Sequence, residues 1–113
     1  MILVIGARSS GKRAYLESLG YTSAQIADGV LDESPVLYNL QDITMADPEG
    51  APALREGLLK KEVVVCDEVG SGVIPMEKKE EIYRETVGRL QVLLAAEASE
   101  VWRVWCGIPE RIR

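Results

Sequence analysis

The pattern of apolar and polar residues predicts strands that alternate with helices along the chain. Three short apolar runs are typical of buried strands, at residues 2–5, 62–66 and 101–106. Helical spacing predicts helices at residues 11–19, 22–26, a short segment ending at Lys60 or Lys61, and 77–98. Residues 36–40 fit either a strand or the start of a helix, and the pattern leaves both alternatives open.

The longest predicted helix, residues 77–98, combines an apolar stripe with charge pairs. The members of the stripe recur at helical spacing and are Ile82, Tyr83, Val87, Leu90, Leu93 and Leu94. Glu80 with Arg84 and Glu85 with Arg89 are pairs four residues apart, with the acid in the more favourable N-terminal position. We expect the stripe to be the buried face of this helix.

Alternation of strands and helices predicts a parallel sheet with right-handed crossovers. Residues 47–52 read as a loop, and Gly107-Ile108-Pro109 ends the last predicted strand. The glycine-containing segments 6–11 and 67–75 each follow a strand directly. Because ligands bind at the carboxyl ends of parallel strands, both segments are expected at the same, ligand-binding edge of the sheet.

Composition limits the class of protein. The chain has 113 residues, of which 47% are apolar and 27% charged, and this predicts a single globular domain over 1–113. A net charge of −5 argues against a nucleic-acid partner held by charge. No apolar run approaches the ~20 residues of a membrane span. Residues 1–6 lack a basic segment, so we expect no signal peptide and a cytoplasmic location.

The chain contains no histidine, and this excludes histidine-based triads, nucleophiles and zinc ligands. The two cysteines, Cys66 and Cys106, lie in strand-like apolar runs and are expected to be buried thiols, not a disulfide. Carboxylates, Lys, Arg, hydroxyls and backbone N–H groups remain. That set suits phosphate binding and phosphoryl transfer.

A candidate phosphate loop follows the first predicted strand. It matches G-x-x-x-x-G-K and consists of Gly6, Ala7, Arg8, Ser9, Ser10, Gly11, Lys12 and Arg13. Backbone N–H groups would wrap a phosphate, and Lys12 would add positive charge. The alternative is a tight strand-to-helix turn that needs glycine for backbone reasons alone. Arg13 stands where the motif has a hydroxyl ligand for Mg²⁺, so nucleotide or anion binding is better supported than metal-assisted transfer.

The second candidate segment, residues 63–68, has the form of a Walker B strand. Asp67 could hold Mg²⁺, and Glu68 could orient a nucleophile. The alternative is an ordinary solvated strand end. Gly70-Ser71-Gly72 would let the following loop approach a ligand closely.

Two tryptophans near the C-terminal end are three residues apart on a predicted strand and therefore face opposite sides. We expect one of Trp102 and Trp105 in the core, and the other under the last helix or at a subunit interface. Stacking on a nucleotide base is the alternative. Arg8 suits either a bidentate phosphate contact or a solvated loop position.

Several motifs follow one another in the order known from a single family. Residues 1–12 are similar to that family's opening, and residues 68–75 are similar to its E-V-G-x-G-I/V-I/V-P segment. Residues 84–90 resemble its R-x-x-x-G-R-L helix, and residues 107–113 resemble its G-L/I-P-x-R-L/I-K ending. The family that these motifs resemble is the bifunctional adenosylcobinamide kinase/adenosylcobinamide-phosphate guanylyltransferase of cobalamin synthesis, and the resemblance covers residues 1–20 and roughly 62–113.

The resemblance implies a RecA-like P-loop NTPase, here a reduced three-layer α/β protein with a parallel sheet. It implies ATP or GTP, with Mg²⁺, as cofactors and adenosylcobinamide as the phosphate acceptor. Gly6, Ser9, Gly11 and Lys12 would then hold the phosphates, and Glu68 would face the nucleotide. Family members form trimers, so the resemblance also implies a homo-oligomer.

The chain departs from the family in three ways. It has no histidine to accept the guanylyl group, its middle is shorter, and Arg13 replaces a hydroxyl. The strand that carries the family's Walker B aspartate is not visible, so Asp67 could serve only in a rearranged sheet. The leading hypothesis is a minimal cobinamide kinase without the guanylyltransferase step. The alternatives are a degenerate relative that binds nucleotide, cobinamide or a partner subunit without catalysis, and a kinase of another metabolite.

Overall fold

A computed structural model describes residues 1–68 and 78–113, and these residues form six strands and four helices. The strands are β1 (Ile2–Gly6), β2 (Ile26–Asp28), β3 (Val36–Tyr38), β4 (Val63–Asp67), β5 (Glu100–Trp105) and β6 (Ile108–Arg111). The helices are α1 (Lys12–Ser18), α2 (Leu40–Ala46), α3 (Arg55–Leu59) and α4 (Lys78–Glu97). Shorter 3-10 turns occupy Ser23–Gln25 and Pro48–Leu54. The predicted glycine loop at 70–72 lies outside the described residues.

The strands form one sheet in the order β2-β3-β4-β1-β5-β6. Neighbours among the first five are parallel, and β6 alone among the described strands pairs antiparallel, with β5. The predicted α/β parallel sheet is therefore confirmed. Because β4 lies directly beside β1, with Gly6 opposite Asp67, the sheet brings Asp67 to the first loop.

Alternate residues of the strands are buried on opposite faces of this sheet. Leu3, Val64 and Val101 pack into a cluster with leucines from α2, α3 and α4. Val4, Val65 and Val104 pack with Leu16 of α1 in a second cluster. Parallel strands covered on both faces need continuous apolar runs, which explains the sequences of β1 and β4.

The apolar stripe predicted for α4 is partly wrong. Val87, Leu90 and Leu94 are buried, whereas Ile82 and Leu93 are each 44% exposed. Consecutive residues lie about 100° apart around a helix, so Leu93 and Leu94 cannot both face the sheet. Both predicted charge pairs are present, with N–O distances of 3.7 Å for Arg84–Glu80 and 3.9 Å for Arg89–Glu85.

Residues 36–40 contain both of the alternatives that the pattern left open. β3 ends at Tyr38 and α2 begins at Leu40, with Asn39 between them in a left-handed conformation at φ 61. The predicted loop at 47–52 is largely a 3-10 turn instead. The sequence also failed to predict β6, since Pro109 signals a strand end. At the sheet edge a proline can be accommodated without losing an internal ladder bond.

The two cysteines and the two tryptophans lie in different environments. Cys66 is buried as predicted, but the prediction for Cys106 is wrong. It lies in the turn between β5 and β6 at φ 53 and is exposed. Trp102 is half-buried against Tyr15, with ring centroids 5.8 Å apart, and Trp105 is 50% exposed.

No helix in the part of the chain that the structure describes has the length and apolar character needed to cross a membrane.

Candidate functional site

The first loop, defined here as Gly6–Lys12, connects β1 to α1 at the carboxyl edge of the sheet. Two of its glycines are required by close packing. A Cβ atom on Gly6 would clash with the carbonyl oxygen of Val104. Gly11 has φ +97, and its Cβ would lie 2.9 Å from the Cα of Gly107. The backbone explanation of the glycine spacing therefore holds for both positions, whatever the loop binds.

Lys12 points back into this loop, and its side chain is only 2% exposed. The ammonium donates hydrogen bonds to the carbonyl oxygens of Ala7 at 2.6 Å and Gly6 at 3.2 Å. It also pairs with the Asp67 carboxylate, with 2.9 Å between Nζ and Oδ1. The structure thus brings together the predicted cation of the first loop and the predicted acid of the second segment.

Two glutamine side chains hold the backbone of Asp67. The Asp67 N–H donates to Oε1 of Gln41 at 3.0 Å, and the Asp67 carbonyl accepts from Nε2 of Gln91 at 2.8 Å. Sequence analysis missed both residues. The sequence carried no direct signal for them, because each lies more than twenty residues from Asp67 along the chain and reaches it only in the folded sheet. Buried amides are retained where they satisfy other buried polar groups.

Glu68 lies next to the first loop through its backbone, whose N–H donates to the Gly6 carbonyl at 2.9 Å. Its carboxylate forms an ion pair with Arg103 of β5, including a hydrogen bond of 3.1 Å from Nη2. The Arg103 guanidinium also lies 4.5 Å from the centre of the Trp105 ring. The structure therefore places the Glu68 carboxylate against Arg103 rather than against Lys12.

Arg13 turns away from the loop. It lies 3.7 Å from the Asp28 carboxylate and 4.9 Å from the centre of the Tyr38 ring. Arg8 and Ser9 are exposed and line the cavity described below. Among the described residues, the buried Ser10 hydroxyl oxygen has no hydrogen-bond partner.

A cavity of about 450 Å³ opens beside Lys12. We define its first wall as the lining residues of the first loop and β4, which are Arg8, Ser9, Lys12 and Asp67. We define its second wall as the lining residues from the end of β3, from α2 and from α4, which are Tyr38, Asn39, Gln41, Asp42 and Tyr83. Burial, reinforced by the negative charges of Asp67 and Asp42, raises the pKa of Tyr83 to about 12. At neutral pH its hydroxyl therefore keeps its proton and can donate a hydrogen bond.

Fold and site together define a class of protein. It is an α/β protein in which a strand, a glycine loop and a helix place a lysine beside a carboxylate at the edge of a parallel sheet.

Comparison with known proteins identifies the family. A model of the cobinamide kinase / cobinamide phosphate guanyltransferase family matches residues 45–112, more than half of the chain. The chain belongs to this family, and the resemblance seen in the sequence is confirmed.

Two curated relatives align with part of the chain. They are the bifunctional adenosylcobalamin biosynthesis proteins CobU of Escherichia coli strain K12 and of Salmonella typhimurium strain LT2. Each is 42% identical over 53 residues, which cover 47% of this chain and 29% of the relative. The chain therefore matches less than a third of the length of each relative. The family match includes Asp67, Glu68 and Arg103 and begins after the first loop.

Proposed function

We propose that this chain is a nucleotide-binding protein of cobalamin biosynthesis that works as a cobinamide kinase. The observation that carries the proposal is the pairing of Lys12 with Asp67 at 2.9 Å, beside a glycine loop at the carboxyl edge of the sheet. A lysine and an acid in this position suit phosphoryl transfer, where charge and positioning do most of the work. The placement of β1 between β4 and β5 supports the RecA-like P-loop fold implied by the resemblance.

The first loop would hold the phosphates of ATP or GTP. Lys12 would exchange its contacts with the Gly6 and Ala7 carbonyls for phosphate oxygens. Backbone N–H groups of the loop would complete the anion site. Arg8 is exposed at the first wall, where it can reach a phosphate, whereas Arg13 is occupied by Asp28 and Tyr38.

The residues present fit a Mg²⁺ ion bound together with nucleotide. Mg²⁺ is usually held through one or two carboxylates plus phosphates and water, and Asp67 offers one carboxylate at the first wall. Ser9, which is exposed at the first wall beside Lys12 and Asp67, offers a hydroxyl in place of the one that Arg13 displaces. The ion would neutralise charge on the transferring phosphate.

The proposed reaction transfers the terminal phosphoryl group to a hydroxyl of adenosylcobinamide. Guanylyl transfer through a histidine is not available to this chain, because it contains none. We therefore infer that the chain carries the kinase step alone. A homo-oligomer, a trimer by resemblance, stays a prediction.

One observation favours a second candidate, a family member that binds nucleotide or cobinamide without catalysis. The Glu68 carboxylate, expected to orient the nucleophile, is engaged by Arg103. If this ion pair persists with nucleotide bound, Glu68 takes no part in transfer. Steady turnover of nucleotide with Mg²⁺ and cobinamide would contradict this candidate.

Calorimetric titration with ATP and GTP, with and without Mg²⁺, tests nucleotide binding. We expect saturable binding that tightens with Mg²⁺ and is lost in Lys12→Ala. Lys60→Ala is the matched control, since Lys60 is an exposed lysine that precedes β4 and so lies at the opposite edge of the sheet. Circular dichroism establishes that each variant is folded. Arg8→Ala, a change at an exposed position, should weaken binding without affecting the fold.

Absence of binding to the wild-type chain at millimolar nucleotide would contradict the proposal. Equal binding by the wild-type chain and a folded Lys12→Ala variant would remove Lys12 from the site.

A further inference from the structure

The second wall of the cavity differs from the first in how its polar groups are used. Nδ2 of Asn39 donates to Asp28 at 2.6 Å, and Nε2 of Gln41 donates to Asn39 at 3.0 Å. The side-chain amides of Asn39 and Gln41 are therefore already hydrogen-bonded, to each other, to Asp28 and to the backbone of Asp67. The side chains of this wall that remain to meet a ligand are Tyr38, Asp42 and Tyr83.

Asp42 differs from the other acids near the site in its partners. Asp28 pairs with Arg13, Asp67 with Lys12, and Glu68 with Arg103. Among the side chains that the structure describes, none forms an ion pair or a hydrogen bond with the Asp42 carboxylate. It is exposed at the first turn of α2 and lines the same cavity as Lys12. A carboxylate with no partner of its own is free to accept a hydrogen bond from an incoming hydroxyl.

Tyr83 and Tyr38 complement this carboxylate. Burial is the largest cause that raises the pKa of each phenol, so both hydroxyls are protonated donors at neutral pH. The wall therefore offers one acceptor and two donors, spaced around a cavity of about 450 Å³ that is within the range of small-ligand sites. This donor and acceptor set suits a hydroxyl-bearing polar arm rather than an apolar surface.

We propose that the second wall is the acceptor side of the site, where Asp42 takes the proton from the attacking hydroxyl of an alcohol and Tyr83 binds a polar group of its arm. This assignment rests on the proposed kinase function and deepens it. The alcohol oxygen forms a bond to the terminal phosphorus of the nucleotide while the bond from that phosphorus to the bridging oxygen breaks. The proton passes to the Asp42 carboxylate, and the nucleoside diphosphate leaves with the electron pair.

Paired variants test this assignment. Asp42→Asn is compared with Glu56→Gln, since Glu56 is likewise an exposed acid in the first turn of a short helix. Three quantities are measured on the full chain: the Kd for nucleotide, kcat with cobinamide, and cobinamide binding in the presence of a non-hydrolysable nucleotide analogue. Tyr83→Phe is included because it removes only the phenol hydroxyl.

For Asp42→Asn we expect kcat to fall roughly a hundredfold or more, the usual contribution of a positioned base, while the Kd for nucleotide changes by less than about twofold. Tyr83→Phe should weaken cobinamide binding about tenfold, since one hydrogen bond is lost, again without changing nucleotide binding. Glu56→Gln should match the wild-type chain in all three measurements.

Unchanged kcat in Asp42→Asn would overturn the assignment and leave the proposed kinase function standing. Parallel loss of nucleotide binding in Asp42→Asn and Lys12→Ala would also overturn it, because the second wall would then belong to the nucleotide. If nucleotide binds without turnover, the measurement of cobinamide binding tests the assignment. Weaker cobinamide binding in Asp42→Asn and Tyr83→Phe would support the second wall as the acceptor side, and unchanged binding would refute it. A wild-type chain that binds no nucleotide refutes both proposals together.

Discussion

Lys12 places its ammonium group at a position where almost none of the side chain meets water. Removing an ammonium from water costs several kcal/mol, so a buried lysine needs compensating partners. Here two carbonyl oxygens and the Asp67 carboxylate provide them. Asp67 itself remains 21% exposed, so solvent screens part of the pair.

The Lys12–Asp67 pair should therefore be strongly coupled in the folded state. Asp67→Asn leaves a buried ammonium without its counter-charge and should lower the free energy of unfolding by about 2 to 4 kcal/mol. The double variant Lys12→Met/Asp67→Asn leaves no buried charge. Its loss in the free energy of unfolding should therefore be smaller than the sum of the losses in the two single variants. Urea denaturation of the four chains measures the coupling, and additive losses would contradict it.

The two thiols should react very differently. Burial raises the pKa of the Cys66 thiol to about 12, so it stays protonated at pH 8 and is shielded as well. Cys106 is exposed in its turn. Since the thiolate is the nucleophile, we expect a disulfide reagent to titrate a single thiol in the native chain and both in denaturant. Loss of the native reaction in Cys106→Ser confirms which thiol it is.

At the scale of elements, the first loop is supported by the turn between β5 and β6. The Gly107 N–H donates to the Ser10 carbonyl at 2.8 Å, and Gly11 lies directly against Gly107. The β5–β6 hairpin, which the sequence did not predict, thus packs against and supports the first loop, which it did predict.

Comparison of two glycines separates the effect of the Gly11–Gly107 contact from the effect of backbone conformation. Gly11 and Gly20 both have φ +97, but a Cβ on Gly20 would meet nothing within 4 Å. Gly20→Ala should cost about 1 to 2 kcal/mol from its left-handed conformation alone. Gly11→Ala should cost about 1 to 3 kcal/mol more from overpacking against Gly107. Thermal denaturation compares the stabilities of the two variants. Equal losses of stability would mean that the β5–β6 turn shifts to accommodate the added methyl group at no cost.

Neighbouring leucines of α4 give a second comparison within one element. Leu94 is fully buried and Leu93 is 44% exposed. Leu94→Ala should cost about 2 to 5 kcal/mol through the cavity it leaves, whereas Leu93→Ala should cost less than about 1 kcal/mol. Denaturant midpoints of the two variants test this, and a larger loss at Leu93 would place the buried face of α4 elsewhere.

Local patterns predicted the elements better than they predicted the contacts between them. β1, β4 and α4 were visible because apolar runs and helical periodicity are properties of a short window. The partners of Asp67 were not visible, because Gln41 and Gln91 lie far from it in sequence and meet it only through the sheet order. The same holds for Glu68, whose engagement by Arg103 requires β4 and β5 to flank β1. The motif singled out Lys12 as a candidate, but its pairing with Asp67 depended on a strand order that the sequence left undecided.

At the scale of the whole molecule, ligand and fold should be linked. A nucleotide that binds only the folded chain stabilises it by about 2.7 kcal/mol at a hundredfold excess over Kd. For a chain of this size that corresponds to a rise in Tm on the order of 10 °C. Differential scanning calorimetry should show the rise in the wild-type chain and in Lys60→Ala, and none in Lys12→Ala. A Tm that does not depend on nucleotide concentration would contradict binding at this site.

The position of β1 in the sheet also governs when the protein can fold. β1 comes first in the chain, yet its two neighbours are β4 and β5, formed by residues 63–67 and 100–105. Contacts so distant in sequence slow folding, because a long loop must close before they form. During synthesis, β1 therefore has no partner strand until β4 has left the ribosome, and its second edge stays unpaired until β5 follows. Bare strand edges are the surfaces through which chains associate, so we infer that the nascent chain is most prone to aggregation before its last strands emerge.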